Sequence, residues 1–371
     1  MKTRIINWAH KTARLSACDN KPLSRILASI QYANYKKGKP IPGIDVDALL
    51  QTFVPEEKRA DGDELARIVK EMLYCRYYYQ IGGKEYFLYH FSELTDKARK
   101  QYVGFYELMG YYEALNATGR PEVFANKELT YETFQSFFHR EVLCCYDQSG
   151  KEAFLRFLEK YRACIFKPLN RYGGKGIRRL EITETQDAES LYAQVQNRMP
   201  FVLEELIDQD PGIAALHPQS VNTVRYLTFY YHDKLYRIQA VLRIGQGDST
   251  VDNATSGGVY ALIDVETGVL KGPARSFLGE CCETHPDTGI RFEGFQIPRW
   301  DELNELLEQV ARVLPEQKQV GWDFALSKTG WVLVEGNTMP GIVSIQSSDL
   351  SHGLRRTLAD TFGQAIRVKQ Y

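Results

Sequence analysis

The stretch from Val320 to Gly341 constrains what this chain can fold into more than any other. Two β-prone runs flank a turn that ends in Gly330, the pattern of a hairpin. A three-residue loop, Lys328-Thr329-Gly330 with Gly330 left-handed, pairs Ser327 with Trp331 and sets Asp323 opposite Glu335. Side chains alternate along a strand, so Asn337 joins Glu335 on the same face. Two carboxylates and an amide oxygen then converge on one point. Carboxylates that close raise one another's pKa unless a cation sits between them. A few hard oxygen ligands with room left for phosphate oxygens suit Mg2+. The competing reading is a solvated hairpin face. On the metal reading either carboxylate is expected to be removable without cost to the fold, since its neighbour loses a like charge.

A chain of 371 residues is long enough for two or three domains. Lys and Arg total 46 against 47 Asp and Glu, so there is no electrostatic footprint for nucleic acid or an anionic membrane. The cysteines include the vicinal pairs Cys144-Cys145 and Cys281-Cys282 without any Cys-x-x-Cys spacing, which fits reduced thiols. The first residues lack an apolar core of signal-peptide length, and no later run spans a bilayer. The expectation is a soluble cytoplasmic protein with neither a nucleic-acid nor a membrane partner.

Residues 24–36 and 61–79 carry apolar residues at helical spacing, separated by a Gly/Pro break at 38–43. The tyrosine-rich segments 75–79 and 85–91 read as packing between helices, with His90 structural. A helix with Phe134, Phe137 and Phe138 follows residue 126. Then 163–168 reads as a buried strand ending in Lys167 and Pro168, followed by a loop with Gly173, Gly174, Lys175 and Gly176 and a second strand, 178–182. Glycines let backbone N–H groups approach phosphate oxygens. A strand rather than a helix follows, and no Ser or Thr follows the lysine, so this is a hairpin flap and not a Walker loop. Lys167 directs its charge at the phosphates from beneath. A helix at 189–198 leads to a strand at 201–207. Arg225 and Arg243 sit at ends of the next two strands, where a planar fork suits carboxylate, phosphate or a developing oxyanion. The polar loop 245–258 is long enough to be functional. His217 and His285 read as turn residues.

In this order the signals resemble those of ATP-grasp enzymes. Ser220-Val221-Asn222-Thr223-Val224-Arg225, Leu242-Arg243-Ile244-Gly245, Val251-Asp252-Asn253 with Gly257-Gly258, and Gly321-Trp322-Asp323 with Glu335-Gly336-Asn337 are similar to the sugar-transfer-associated ATP-grasp family. The resemblance implies an α+β ATP-grasp fold, two α+β subdomains clasping ATP. Residues 1–120 would be a mainly helical N-terminal region, 121–205 a small subdomain with the glycine flap, and 206–371 a large subdomain with the metal hairpin. It further implies that Asp323, Glu335 and Asn337 hold Mg2+. Lys127 joins Lys167 and the flap at the phosphates of ATP. Glu204, Glu205 and Leu206 form the hinge that meets adenine, and Asp208 or Asp210 meets the ribose. Asn222, Asp252, Asn253, Gly257 and Gly258 belong to a substrate grip. In the D-alanine ligase pattern an Arg lies two residues before the metal Asp. Here that position is Gly321, which leaves Arg225 or Arg243 to meet the oxyanion.

Such enzymes join a carboxylate to an amine through an acyl phosphate, with positioning and charge neutralisation supplying most of the rate. The family's name implies an amino acid or amine joined to a sugar carboxylate or similar small-molecule acceptor, in polysaccharide biosynthesis. A kinase of the same fold, phosphorylating a hydroxyl, and a non-catalytic nucleotide-binding module stand as alternatives.

Overall fold

Helices dominate the chain up to Ala114 because caps and apolar spacing agree there. Asn20 accepts from the Leu23 N–H at 3.0 Å and opens the helix Lys21–Lys36. Asp61 accepts from Asp63 and Glu64 and opens Gly62–Tyr78, each such cap being worth about 1 kcal/mol. The computed structural model describes residues 18–169, 176–252 and 257–369. The chain divides into two units. One holds the chain up to Ala114, Phe277–Glu280 and the chain from Gly341 onward; the other holds Leu115–Ser276 and Cys281–Pro340. The sequence reading instead set boundaries at residues 120 and 205 and assigned everything after 205 to the large subdomain.

The core of the first unit mixes aliphatic and aromatic side chains. Tyr78, Tyr79, Tyr86, Tyr89, Phe91 and Tyr102 are buried together, with Tyr89 stacked on Tyr102 at 5.0 Å between centroids. The tyrosine-rich segments thus serve packing. His90 sits at φ 53° just past the helix Gly83–Leu88, 3.5 Å from Glu93. The C-terminal chain is tied in by Arg355, whose Nη1 and Nη2 each lie 2.7 Å from a Glu107 carboxylate oxygen, and by the Gln346 side chain, which pairs with both Val103 backbone groups.

The second unit contains two antiparallel sheets. The smaller comprises β1 (Val142–Cys145), β2 (Ala163–Pro168), β3 (Arg178–Glu181) and β4 (Phe201–Glu205) in the order β1-β4-β2-β3. Phe166, Leu203 and Phe201 pack on the helices Lys151–Tyr161 and Ala188–Val195. Alternation then turns Lys167 and Glu204 to the opposite face.

The larger sheet comprises β5 (Thr223–Tyr231), β6 (Lys234–Ile244), β7 (Val259–Ile263), β8 (Leu270–Ser276), β9 (Cys281–Cys282), β10 (Gln319–Ser327) and β11 (Gly330–Asn337). Its order is β11-β10-β5-β6-β7-β8-β9. Val224, Tyr226, Leu242, Phe324 and Leu333 pack with Phe134 and Phe138 of the helix Lys127–Phe138 and with Leu303 and Leu307 of Trp300–Ala311. Their neighbours Arg225, Arg243 and Asp323 therefore project from the other face.

Candidate active site

The turn between β10 and β11 is shorter than the sequence implies. Ser327 pairs with Gly330, not Trp331, so the loop is the two residues Lys328 and Thr329, and Gly330 has φ 147° rather than a left-handed value. In an unbroken ladder that register would pair Asp323 with Val334 and turn Glu335 to the core. A β-bulge between Asp323 and Phe324 absorbs Val334: Phe324 pairs with Leu333, and Asp323 pairs with Glu335. Leu333 is thus fully buried while Glu335, two residues on, is half exposed, an arrangement a regular strand forbids. The expected pairing of Asp323 with Glu335 holds, but through the bulge instead of the turn. Asn337 lies on the same face, its Nδ2 donating to Glu335 Oε1 at 3.3 Å.

Asp323 has no solvent exposure. Arg225, its cross-strand partner on β5, donates through Nε to Oδ1 and through Nη2 to Oδ2, and Arg243 Nη2 donates to Oδ2 at 2.8 Å. Burial works against the charged carboxylate, but the two guanidinium groups outweigh it and hold its pKa down at about 2. Glu335 moves the other way: partial removal from water and the adjacent Asp323 charge raise its pKa. The Arg225 Nη2 lies 3.9 Å from Glu335. Removing Asp323 would take the main partner from two largely buried guanidinium groups, which argues against the expectation that this carboxylate is dispensable to the fold.

On the smaller sheet Lys167 Nζ lies 2.6 Å from Glu204 Oε1, and Arg140 Nη2 lies 2.8 Å from Oε2. Burial again opposes the charge on Glu204, and again the cations, Lys167 before Arg140, win and hold the pKa at about 2. Arg140 Nη1 also donates to the Leu333 carbonyl at 2.7 Å, joining the smaller sheet to the hairpin. Lys127 opens the helix Lys127–Phe138, and its Nζ donates to the Pro168 carbonyl at 3.3 Å. Burial lowers its pKa, and Glu335, Lys167 and Glu204 are its charged neighbours. Lys127 and Lys167 therefore share one region with the hairpin carboxylates, as the resemblance implies.

Two of the three residues expected at the hinge are engaged within the protein. Glu204 spends its side chain on Lys167 and Arg140, and its backbone is paired on both sides, with Val142 and Ile165. Glu205 is likewise engaged: its N–H donates to the Glu141 carbonyl at 3.0 Å, and its carboxylate accepts from the Glu141 N–H. The strand ends at Glu205, not at residue 207. Among the described residues no backbone hydrogen bond reaches Leu206 or Ile207. Of the three expected hinge residues only Leu206 keeps a free edge. Asp210 accepts from the Gly212 N–H at 2.8 Å as the cap of Pro211–Ala214, while Asp208 pairs with Lys328 at 2.8 Å.

The substrate-grip residues divide. Asn222 is fully buried, its Nδ2 donating to the Ile213 and His217 carbonyls and its Oδ1 accepting from Ser220, so no polar edge remains for a ligand. Its amide serves the turn around His217, where the Ile213 carbonyl also accepts from the Leu216 N–H at 3.3 Å. His217 and His285 are buried, and their Nε2–H groups donate to the Gly247 and Gly245 carbonyls, respectively. Asp252 faces the arginines: its Oδ2 accepts from the Thr223 N–H at 3.1 Å and from the Thr223 hydroxyl, and lies 3.6 Å from Arg243 Nε. Burial, followed by the Asp323 charge, raises its pKa despite Arg243. A side chain at Gly258 would meet the Asp252 and Ile244 carbonyls at 2.7 Å, and Gly257 has φ 100°. Gly176 has φ 81°. Gly173, Gly174, Lys175 and Asn253 lie outside the described residues.

Arg140 and Thr223 were not singled out from sequence as site residues. The signal for Arg140 was indirect: a Glu following the apolar residues Phe201–Leu203 needs a buried cation. The whole tract sets five cations (Lys127, Arg140, Lys167, Arg225, Arg243) against four carboxylates (Glu204, Asp252, Asp323, Glu335), a balance that suits an anionic ligand. Among the described residues no cluster of three or more His, Cys, Asp or Glu could hold a metal ion. The set that fits one is the half-exposed Glu335 carboxylate with the Asn337 amide oxygen, which accepts no hydrogen bond among the described residues. Hard oxygen ligands of this kind suit Mg2+. Asp323 supplies charge there while Arg225 and Arg243 occupy its oxygens.

The fold is the α+β ATP-grasp fold. The chain belongs to the sugar-transfer associated ATP-grasp family, whose model matches residues 109–361. No curated protein matches it. Among solved structures it is similar to a D-alanyl-alanine synthetase A from Vibrio cholerae O1 biovar eltor, with 14% identity, TM-score 0.41, and coverage of 66% of this chain and 65% of that one. A RiPP-associated ATP-grasp ligase from Chryseobacterium gregarium, in complex with ADP and a leader and core peptide, matches at 13% identity and TM-score 0.39 over 75% and 74% of the two chains. The chain spans less than two thirds of the Vibrio protein's length. No helix among the described residues is long and apolar enough to cross a membrane.

Proposed function

We propose that this chain is an ATP-dependent carboxylate–amine ligase. The observation that carries the reading is the charged tract on one sheet face, where Glu335 and Asn337 adjoin Asp323, Arg225 and Arg243, with Lys127 and Lys167 beside them. ATP would supply the phosphoryl group, and a Mg2+ ion held by Glu335 and Asn337 would draw charge off its phosphate oxygens. Lys127 and Lys167 bind the phosphates, Lys167 moving from Glu204 to do so while Arg140 keeps Glu204 paired. The free edge at Leu206 and Ile207 meets the base. Arg225 and Arg243 orient the acceptor carboxylate and neutralise charge as its oxygen bonds to the γ-phosphorus and ADP leaves. The amine then displaces phosphate from the acyl group, giving an amide. Asp252 positions Arg243 and the loop that precedes it. The family's name supports an acceptor linked to a sugar.

ADP release should be measured with uronic acids, amino sugars and amino acids, singly and in pairs. Release that requires both a carboxylate and an amine supports ligation. Release with a hydroxyl acceptor alone, without an amine, would replace this reading with a kinase.

A further inference from the structure

A second site lies wholly within the first unit. A cavity of about 470 Å³ is lined by Ile44, Leu49, Phe53, Phe105, Leu278 and Val343, with Lys84 among its walls. This is the size of a small-molecule pocket. Phe105 and Leu278, both in the lining, are 40% and 58% exposed. Lys84 is half withdrawn from solvent with its Nζ 4.6 Å from the Phe277 ring centroid, and among the described residues no carboxylate pairs with it. A second cation lies behind the wall. Arg76 is 5% exposed; its Nη2 donates to the Pro42 carbonyl, its Nη1 has no partner, and among the described residues it forms no ion pair. It stands 3.6 Å from where a Cβ on the cavity-lining Gly43 would be, and 5.4 Å from the ring of Tyr106, another lining residue. The nearest buried acid, Glu85, is spent on the Gly82 and Phe105 N–H groups and the Tyr89 hydroxyl.

The two carboxylates in the lining, Asp45 and Glu85, accept from backbone N–H groups and pair with neither cation, so the cavity asks for a ligand that is apolar in body and anionic at one end. We propose that this pocket binds a small carboxylic acid with an aromatic or acyl body, its carboxylate on Lys84 and its apolar part against Leu49, Phe53 and Phe105.

The test is calorimetric titration of the full chain with 2-naphthoate and with its uncharged counterpart, 2-naphthylmethanol. The wild type should bind one equivalent of the acid at least tenfold more tightly than the alcohol. Lys84→Met should bring the two affinities together, and Lys84→Arg should restore the preference. Ala48→Trp, at an exposed position on the pocket rim, should abolish binding of both without lowering Tm. The proposal is overturned if acid and alcohol bind alike in the wild type, if neither binds, if Lys84→Met keeps the preference, or if Ala48→Trp leaves binding intact.

Discussion

Arg225 grips Asp323 from the neighbouring strand with two donors, so the carboxylate is first of all a partner of arginine. Breaking a buried pair leaves a charge with no compensation, at a cost of about 3–5 kcal/mol. Asp323→Asn should therefore lower Tm by several degrees without any ligand. Glu335→Gln should keep or raise Tm, because its carboxyl is already pushed towards the neutral form, yet lose the stabilisation that Mg-ATP gives the wild type. Thermal unfolding with and without Mg-ATP separates the two. An Asp323→Asn variant that melts like the wild type would show that Arg225 and Arg243 do not depend on it.

Lys167 and Arg140 share Glu204 but should differ in their consequences. Lys167→Ala removes a charge-assisted contact with nucleotide worth roughly 1.5–3 kcal/mol, about a ten- to hundredfold loss of ATP affinity, while Arg140 keeps Glu204 paired. Arg140→Ala also leaves the Leu333 carbonyl unmet, so its first effect should be on stability. Calorimetric ATP titration and urea unfolding of both variants check this; equal ATP affinity for Lys167→Ala and wild type would remove Lys167 from the phosphate site.

Glu85 predicts a pH dependence for the first unit. Burial raises its carboxyl to about 7 from an ordinary 4.5, despite three donors. Between those values the folded chain holds a proton the unfolded chain has released, so stability falls as pH rises, by up to about 3 kcal/mol once pH exceeds 7. Denaturant unfolding from pH 4.5 to 8 should show this decline in the wild type and a flatter profile in Glu85→Gln. Parallel profiles would mean that the slope belongs to other groups.

Asp252 holds Thr223 and faces Arg243 without belonging to the metal or phosphate groups. Asp252→Asn should leave the Kd for ATP unchanged, within about twofold, and lower kcat/KM for the acceptor roughly tenfold or more, as expected when a positioning contact is lost. Equal losses in ATP binding and acceptor use would mark it as a purely structural residue.

Much of this was legible because local signals agreed with the fold. The helix at 24–36, the strand at 163–168 and the strands carrying Arg225 and Arg243 all have periodicity and punctuation that tertiary packing reinforces. The bulge at Val334 was not legible: no residue type marks it, and only the conflict between a buried Leu333 and a cleft-facing Glu335 requires it. Asn222 misled for a related reason. A polar residue in a motif reads as open to a ligand, and only the fold reveals that backbone carbonyls of Ile213 and His217 use up its donors. Neither the pairing of Asp323 with arginines nor that of Glu204 with Arg140 follows from spacing, since each joins positions brought together only by sheet order.

The pairing of Glu107 with Arg355, 248 residues apart, bears on the order in which a ribosome can deliver this fold. The helix that carries Glu107 emerges early, but the guanidinium that neutralises it is made only after every residue of the second unit has been translated. At about 5–20 residues per second, that carboxylate waits roughly 12–50 s for its partner. In that interval the sheets of the second unit can assemble, whereas the first unit stays incomplete on the nascent chain. Interrupted translation late in the message would therefore release a chain whose earliest-made part is the part left unfinished.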